Sequence, residues 1–531
     1  VRRATHGAPV TFRDVPAKLQ GKLAPAPPRP SVTEPVAVTT LAAEPGVRIR
    51  PADPDVAVTG VTLRAQHVQP GDLFAALPGA RAHGADFADR ALTAGAVAVL
   101  TDPAGAERPA LREAAVPVLV HDDPRAVLGP LAARIYGEPS GKLSVLGVTG
   151  TSGKTTTTYL LEAGLRAAGQ VTGLIGTVET RIAGERLASA FTTPEAPDLQ
   201  ALFALMVEQG VTHVPMEVSS HALALGRAAG TRFAVGAFTN LSQDHLDFHP
   251  TMEDYFAAKA TLFDGRSAIE VVCVDGDWGP RLVRDGTITV STTGGEATWT
   301  AGDVAVGGDG TQAFTAHGPD GLRIPLSIRL PGTFNVTNAL LATACLHAVG
   351  VPAEAIRAGL ASVDVPGRME RVDAGQGFTA VVDYSHKPAA VALALDAVRA
   401  RAAGRVIVVL GCGGDRDVAK RPLMGAAAAR RADLLVVTDD NPRTEDPAAI
   451  RASMLAGAHA VPEHERGEVI EVGDRRQAIA TAVANAKPGD VVVVAGKGHE
   501  TGQEVAGVVH PFSDREELEA AIREARGGVS R

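Results

Sequence analysis

Chemistry is densest in Val145-Leu-Gly-Val-Thr-Gly-Thr-Ser-Gly-Lys-Thr-Thr-Thr157, where a β-branched apolar run stops at a glycine-rich turn and a Lys-Thr pair opens a helical pattern. Nucleotide phosphates are held in this way. Gly150 and Gly153 let backbone N–H groups converge on an anion, Lys154 supplies a point charge, and Thr155 offers a hydroxyl to Mg²⁺. The strict eight-residue pattern is not met, because Val148 stands where its first glycine belongs and Gly147 lies one position early. Taken alone, the segment also fits an ordinary strand-turn-helix with a surface lysine.

Two later stretches suggest metal and substrate chemistry. Met216-Glu-Val-Ser-Ser-His221 ends a strand pattern with a carboxylate, two hydroxyls and an imidazole, and Thr239-Asn-Leu-Ser-Gln-Asp-His-Leu-Asp247 follows the next strand in the same way. Parallel strands set such tips side by side, so Glu217 and His245 could share a site with Thr155, and Mg²⁺ there would want a carboxylate. For His221 and His245 the commoner role is loop capping or packing. Lys259, in Tyr255-Phe-Ala-Ala-Lys-Ala-Thr-Leu-Phe263, reads most simply as a snorkelling surface lysine. In apolar surroundings it would instead shed its proton and become reactive.

The elements that must position these residues are those of an α/β protein. A chain of 531 residues suggests about three domains. With 45% hydrophobic and 21% charged residues it has a globular composition. Its 51 Lys and Arg against 60 Asp and Glu leave no basic field for nucleic acid or an anionic membrane. It lacks an apolar run long enough to insert in a membrane, and no apolar segment follows Arg2 and Arg3 to make a secretory signal. Three scattered cysteines fit a cytoplasmic protein with reduced thiols. Residues 1–40, which include Pro25-Ala-Pro-Pro-Arg-Pro30, read as a flexible Pro-rich extension. Residues 41–140 form a small α/β domain with strands near Ala96–Leu100 and Pro117–Val120. Residues 141–365 alternate strand and helix as a parallel-sheet nucleotide-binding domain, with an antiparallel sub-sheet expected between Ile288 and Leu330. Residues 366–531 form a Rossmann-like α/β domain with fully apolar strands near 380–383, 406–410, 434–437 and 491–494.

Taken together and in order, Gly150–Thr156, Glu217-Val-Ser-Ser-His221, Asn240–His245 and the Ala-Ala-Lys ending at Lys259 resemble the Mur ligase family, ATP-dependent amide-forming enzymes of peptidoglycan precursor synthesis. The shortened phosphate loop is the form that family uses. Residues 379–388 resemble its Asp-Tyr-Ala-His-Thr-Pro signature, while Gly332-Thr-Phe-Asn-Val-Thr-Asn338 and Gly367-Arg-Met-Glu370 match its nucleotide-contacting stretches. The resemblance implies ATP contacts at Gly150, Thr151, Ser152, Gly153, Lys154, Thr155, Thr156, Asn335, Arg368 and Asp383. It also implies Mg²⁺ ligands Thr155, Glu217 and His245, with Lys259 carbamylated by CO₂ as a further ligand. Lys154, Glu217, His245 and Lys259 then form the catalytic set.

Within the family, Gly411-Cys-Gly-Gly-Asp-Arg-Asp417, Lys420-Arg-Pro422, Asp440-Asn-Pro-Arg443 and Gly496-Lys-Gly-His-Glu500 resemble the members that add meso-diaminopimelate to UDP-N-acetylmuramoyl-L-alanyl-D-glutamate. Diaminopimelate carries a second carboxylate, which a guanidinium grips with paired charge-assisted hydrogen bonds. Arg416 and Arg443 are the candidates, with Asp440, Asn441, Gly496 and Glu500 around the distal amino-acid end. Arginines left buried and unpaired by lysine would reject it about 10⁴–10⁵-fold. The implied reaction phosphorylates the D-glutamyl γ-carboxylate and lets the amine displace phosphate, so the protein mainly positions and neutralises charge.

Thr62, Thr192, Thr193, Ser219 and Arg227 match positions that hold the UDP-dipeptide. The sequence departs from the family at Arg64-Ala-Gln66, where many members have Asp-Ser-Arg, and at Leu225, a glutamine in some relatives. A monomer is expected. The rival readings are a lysine-adding ligase, folylpolyglutamate synthase, and a P-loop switch or transport ATPase.

Overall fold

The computed structural model describes residues 27–50, 56–187, 191–246, 248–307 and 311–528. It is a three-domain α/β protein whose described residues group into two compact units. The first takes residues up to Leu143 with Thr193–Gly210 and His221–Arg232, and the second takes the remainder.

In the first unit, strands Gly60–Thr62, Asp72–Ala75, Ala98–Thr101 and Val118–Val120 run parallel, and Arg48–Arg50 closes the edge antiparallel. These four parallel strands are buried along their length, which explains their unbroken apolar runs. Helices Pro124–Ile135 and Ala196–Glu208 contribute Leu128, Leu131 and Ala201 to the core around Leu73, Leu100 and Leu119. Much of the expected extension, residues 1–26, lies outside the described residues. Its remainder corrects the expectation of flexibility. Val36–Ala37 pairs with Ala57–Val58, Val38 and Leu41 are fully buried, and Arg29 donates to both carboxylate oxygens of Asp72 at 2.6 and 3.0 Å. Two buried apolar residues, a short strand pairing and one buried charge partner outweigh the Pro-rich composition there.

The second unit holds two sheets. Its eleven-stranded sheet has a parallel centre, Gly173–Ile175, His213–Glu217, Ser144–Thr149, Phe233–Phe238 and Ser267–Cys273. Antiparallel hairpins extend both edges. The sub-sheet expected from Ile288 starts later: Ile288–Ser291 is parallel to both neighbours, and antiparallel pairing begins at Trp299–Val306. Local alternation and turn residues do not distinguish a hairpin from a staggered parallel pair. The six-stranded sheet is parallel apart from Glu370–Arg371, in the order Glu370–Arg371, Thr379–Asp383, Val491–Ala495, Val406–Leu410, Leu434–Val437, Glu468–Glu471. All four apolar runs read from the sequence are strands there. Among the described residues no helix is long and apolar enough to cross a membrane.

Candidate active site

Strand Ser144–Thr149 lies between His213–Glu217 and Phe233–Phe238, and the chain leaves it in one direction and later returns on its other side. Such a switch point opens a crevice at the carboxyl ends of the strands. The phosphate loop fills it. Gly150 and Gly153 have φ of +149° and +89°, and a Cβ on Gly153 would stand 2.4 Å from Asn338 Oδ1. Helix Lys154–Ala167 follows, with Leu161 and Leu165 fully buried at the spacing read from the sequence. Asn240 braces the loop, its carbonyl accepting from Thr151 N at 2.9 Å and its Oδ1 from Ser152 N at 3.0 Å. Lys154 Nζ folds back onto the carbonyls of Gly150 and Thr151 at 2.9 and 3.1 Å. Burial pushes its pKa down to about 8, Glu217 opposing and Lys387 assisting. Thr156 is buried in the first helical turn.

Glu217 is 1% exposed and meets Thr155 as expected, its Oε1 accepting from Thr155 Oγ1 at 3.0 Å. The same carboxylate accepts from Thr177 N at 2.8 Å and Thr177 Oγ1 at 3.0 Å. Thr177, overlooked in the sequence, also lies 3.0 Å from Thr192 Oγ1, so it joins the carboxylate to a candidate substrate residue. Lys259 is no surface lysine. It is 1% exposed, donates to Gly150 O at 2.8 Å and lies 4.6 Å from the centre of the Tyr255 ring. Burial, with Lys154 and Lys387 nearby, drives its pKa well below the usual lysine range, which is the condition for a nucleophilic amine. Tyr255 OH contacts Thr151 Oγ1 at 3.1 Å.

His245 has φ +53°, its Nε2 stands 3.0 Å from Asp244 Oδ2, and its ring sits edge-on to Tyr255. Lys387 pairs with that same Asp244 oxygen. Burial works to raise the Asp244 carboxyl, but Lys387 and His245 outweigh it and hold it well below the usual range. Arg368 Nη2 reaches Thr155 Oγ1 at 3.3 Å, and its guanidinium carbon stacks 4.5 Å above Tyr384. Asp383 accepts from Met369 N at 2.8 Å and Ser385 N at 2.9 Å, fixing the turn that carries Arg368. Asn335 is buried and bonded to Pro331 O and Asn338. Ser152 is exposed at the loop tip.

At the carboxyl edge of the third sheet, Asp440, Asn441 and Glu500 converge on Lys497, which is fully buried. Lys497 Nζ donates to Asn441 Oδ1 at 2.9 Å and Glu500 Oε2 at 3.1 Å, and Asp440 Oδ1 lies 3.9 Å away. The sequence displayed this lysine inside Gly496-Lys-Gly-His-Glu500, yet its role follows only from burial. Gly496 has φ +115°, and a Cβ there would approach Asp440 Oδ2 to 2.6 Å. Hairpin Gly502–Val505 and Val508–Pro511 ties the loop down, Gln503 Nε2 donating to Asp440 O and Glu504 N to Asn441 Oδ1, both at 2.9 Å. Arg416 is exposed. Arg443 donates to Gly414 O at 2.6 Å and lies 3.5 Å from Glu504. Arg443, His245, Met369 and Asp415 all take positive φ, and such backbone is held only where surroundings over-determine it.

In the first unit Thr62 Oγ1 accepts from Arg64 N at 3.2 Å. Arg227 donates to Thr193 O at 3.4 Å and pairs with Glu195 at 2.9 Å, which Arg125 also contacts at 3.2 Å. Ser219 lies in the second unit, just after strand His213–Glu217.

The Mur ligase middle domain matches residues 148–346, the Mur ligase glutamate ligase domain residues 367–498, and the Mur ligase family catalytic domain residues 57–136. The chain therefore belongs to the Mur ligase family and is a ligase. Over 510 residues it is 55% identical to the UDP-N-acetylmuramoyl-L-alanyl-D-glutamate--2,6-diaminopimelate ligase of Streptomyces coelicolor (strain ATCC BAA-471 / A3(2) / M145), covering 95% of this chain and 99% of that protein. The protein of the same name from Corynebacterium glutamicum (strain ATCC 13032) is 56% identical over 479 residues, 88% of this chain and 92% of the relative. A solved structure of a ligase of that name matches with a TM-score of 0.67 at 30% identity, covering 93% of this chain and all of the other.

Proposed function

We propose that this protein adds meso-diaminopimelate to the D-glutamyl γ-carboxylate of UDP-N-acetylmuramoyl-L-alanyl-D-glutamate, with ATP converted to ADP and phosphate, as a cytoplasmic monomer. The UDP-sugar is assigned to residues 41–140, ATP to 141–365 and the diamino acid to 366–531. The observation that carries the reading is one compact unit holding both the braced phosphate loop and the Asp440, Asn441, Lys497, Glu500 cluster at sheet edges of the same kind.

A carboxylate resists attack by an amine because its leaving group would be an oxide. Transfer of the γ-phosphoryl group makes an acyl phosphate, and the amine then expels phosphate. Lys154 and the loop amides neutralise the phosphates, and Arg368 stands ready beside Thr155. Thr155 and Glu217 present adjacent hard oxygens, which fits Mg²⁺. His245 and Lys259, the latter as its carbamate, are assigned to a second ion. Bound Mg²⁺ would supply charge neutralisation on the transferring phosphoryl group. Asp440 and Glu500 favour the distal ammonium, while Arg443 and Arg416 face its carboxylate.

The test is amide formation with purified protein, ATP, Mg²⁺, the UDP-dipeptide and either diamino acid. Diaminopimelate-dependent tripeptide is expected. Equal use of lysine would establish a lysine-adding ligase, product with a folate instead would establish folylpolyglutamate synthase, and phosphate release without amide would favour a switch ATPase.

A further inference from the structure

Where the family signature has threonine, this chain has Lys387, in Asp383-Tyr-Ser-His-Lys-Pro388. The ammonium forms an ion pair with Asp244, and the two side chains are 18% and 17% exposed. Asp244 lies in the loop after strand Phe233–Phe238 of the nucleotide-binding sheet. Lys387 caps helix Pro388–Arg399, in the loop after strand Thr379–Asp383 of the third sheet. One mostly buried ion pair thus ties together two loops whose sheets carry different candidate substrates. Asp244 Oδ2 is also 3.0 Å from His245 Nε2, so a single oxygen is shared by the imidazole and the ammonium. The backbone beneath Lys387 is fixed: Lys420 Nζ donates to His386 O at 3.0 Å, and His386 Nδ1 donates to Tyr384 O at 2.8 Å.

We propose that Lys387 is a clasp, a positioning residue whose pairing with Asp244 holds the amino-acid-binding sheet against the nucleotide-binding sheet and fixes the loop that carries His245. Removing either partner from a mostly buried pair strands the other charge, whereas separating the two sheets rehydrates both. The pair therefore rewards the closed arrangement and releases without trapping a charge. A threonine hydroxyl offers Asp244 no such pairing, so the clasp is particular to chains with lysine here. Its kinetic consequence rests on the proposed function, but its structural consequence does not.

The test uses the full chain as Lys387→Met, Lys387→Thr, Lys387→Arg, Asp244→Asn and Lys387→Met with Asp244→Asn. Hydrogen exchange by mass spectrometry should quicken at least tenfold across residues 240–246 in the Met and Thr variants, with strand Val491–Ala495 unchanged and Lys387→Arg close to the parent. Amide formation should lose at least tenfold in kcat while ATP affinity stays within twofold, and the double variant should be no slower than Asp244→Asn. Parental exchange in Lys387→Met, or losses that multiply in the double variant, would overturn the clasp. A parent that makes no amide would instead defeat the proposed function, with the exchange result still deciding the clasp.

Discussion

Glu217→Gln separates the structural from the chemical work of one buried carboxylate. Among the described residues, Thr155 Oγ1, Thr177 N and Thr177 Oγ1 each donate to Glu217. Glutamine keeps the shape. Its carbonyl oxygen can accept from Thr155 and Thr177 N, and the Thr177 hydroxyl can turn to accept from the new amide, so the folding cost should be about 1 kcal/mol. Glu217→Ala deletes every acceptor at a site 1% exposed and should cost about 3–5 kcal/mol, from stranded donors plus a cavity. Chemically the two variants should be equally poor. A neutral side chain no longer anchors Mg²⁺, and Lys154 loses the carboxylate that supports its proton, falling further below its pKa of about 8. Thermal unfolding with and without Mg²⁺ and ATP, beside turnover, reads both effects. Glu217→Gln should unfold within a few degrees of the parent, gain nothing from the nucleotide and lose about 10²–10³ in turnover. Parental nucleotide stabilisation and turnover in Glu217→Gln would exclude a chemical role for the carboxylate, and a stability loss equal to that of Glu217→Ala would exclude its replacement by the amide in the hydrogen-bond network.

Lys259→Ala should be nearly inactive and recover with added short carboxylic acids, because these replace a carbamate; no recovery despite normal Mg²⁺ and ATP binding would count against that modification. Gly496→Ala should raise KM for diaminopimelate at least fivefold with little change for ATP, since the new Cβ meets Asp440 Oδ2 and φ is +115°; an unchanged KM would exclude Asp440 from the pocket. In the first unit, burial with help from Glu195 lifts the Asp198 carboxyl from 3.8 to about 6 against Arg64 and Arg29. The folded state holds the proton more tightly, so this group's destabilisation is absent below pH 3.8, grows as pH rises and is complete above about 6. Asp198→Asn should therefore add about 1–2 kcal/mol at pH 7, after discounting for partial exposure, and only about a fifth of that at pH 4. Urea unfolding at both pH values checks this, and equal gains at both would contradict it.

The phosphate loop and the buried parallel strands were legible because each depends on local pattern. A glycine-punctuated turn before Lys154, and runs such as Val406–Leu410 covered on both faces, declare themselves within a few residues. Glu468–Glu471 was missed because an edge strand with charged ends has no apolar run to display. The partners of the site residues were less legible still. Thr177 meets Glu217 across forty residues, Lys387 meets Asp244 across 143, and Lys259 meets Gly150 of the phosphate loop across 109. None of these leaves a periodicity. Arg443 shows the same limit: its motif stands out in the sequence, but its pairing with Glu504 depends on a hairpin that a short, exposed, valine-rich sequence did not announce.

In the proposed reaction the acid is phosphorylated before the diamino acid displaces the phosphate. UDP-dipeptide labelled with ¹⁸O in the D-glutamyl γ-carboxylate tests it directly, with inorganic phosphate analysed after turnover with diaminopimelate. One ¹⁸O should appear in each phosphate released, matched by one tripeptide formed. Phosphate carrying only solvent oxygen, or released at the same rate without the diamino acid, would rule out an acyl phosphate consumed by the diamino acid.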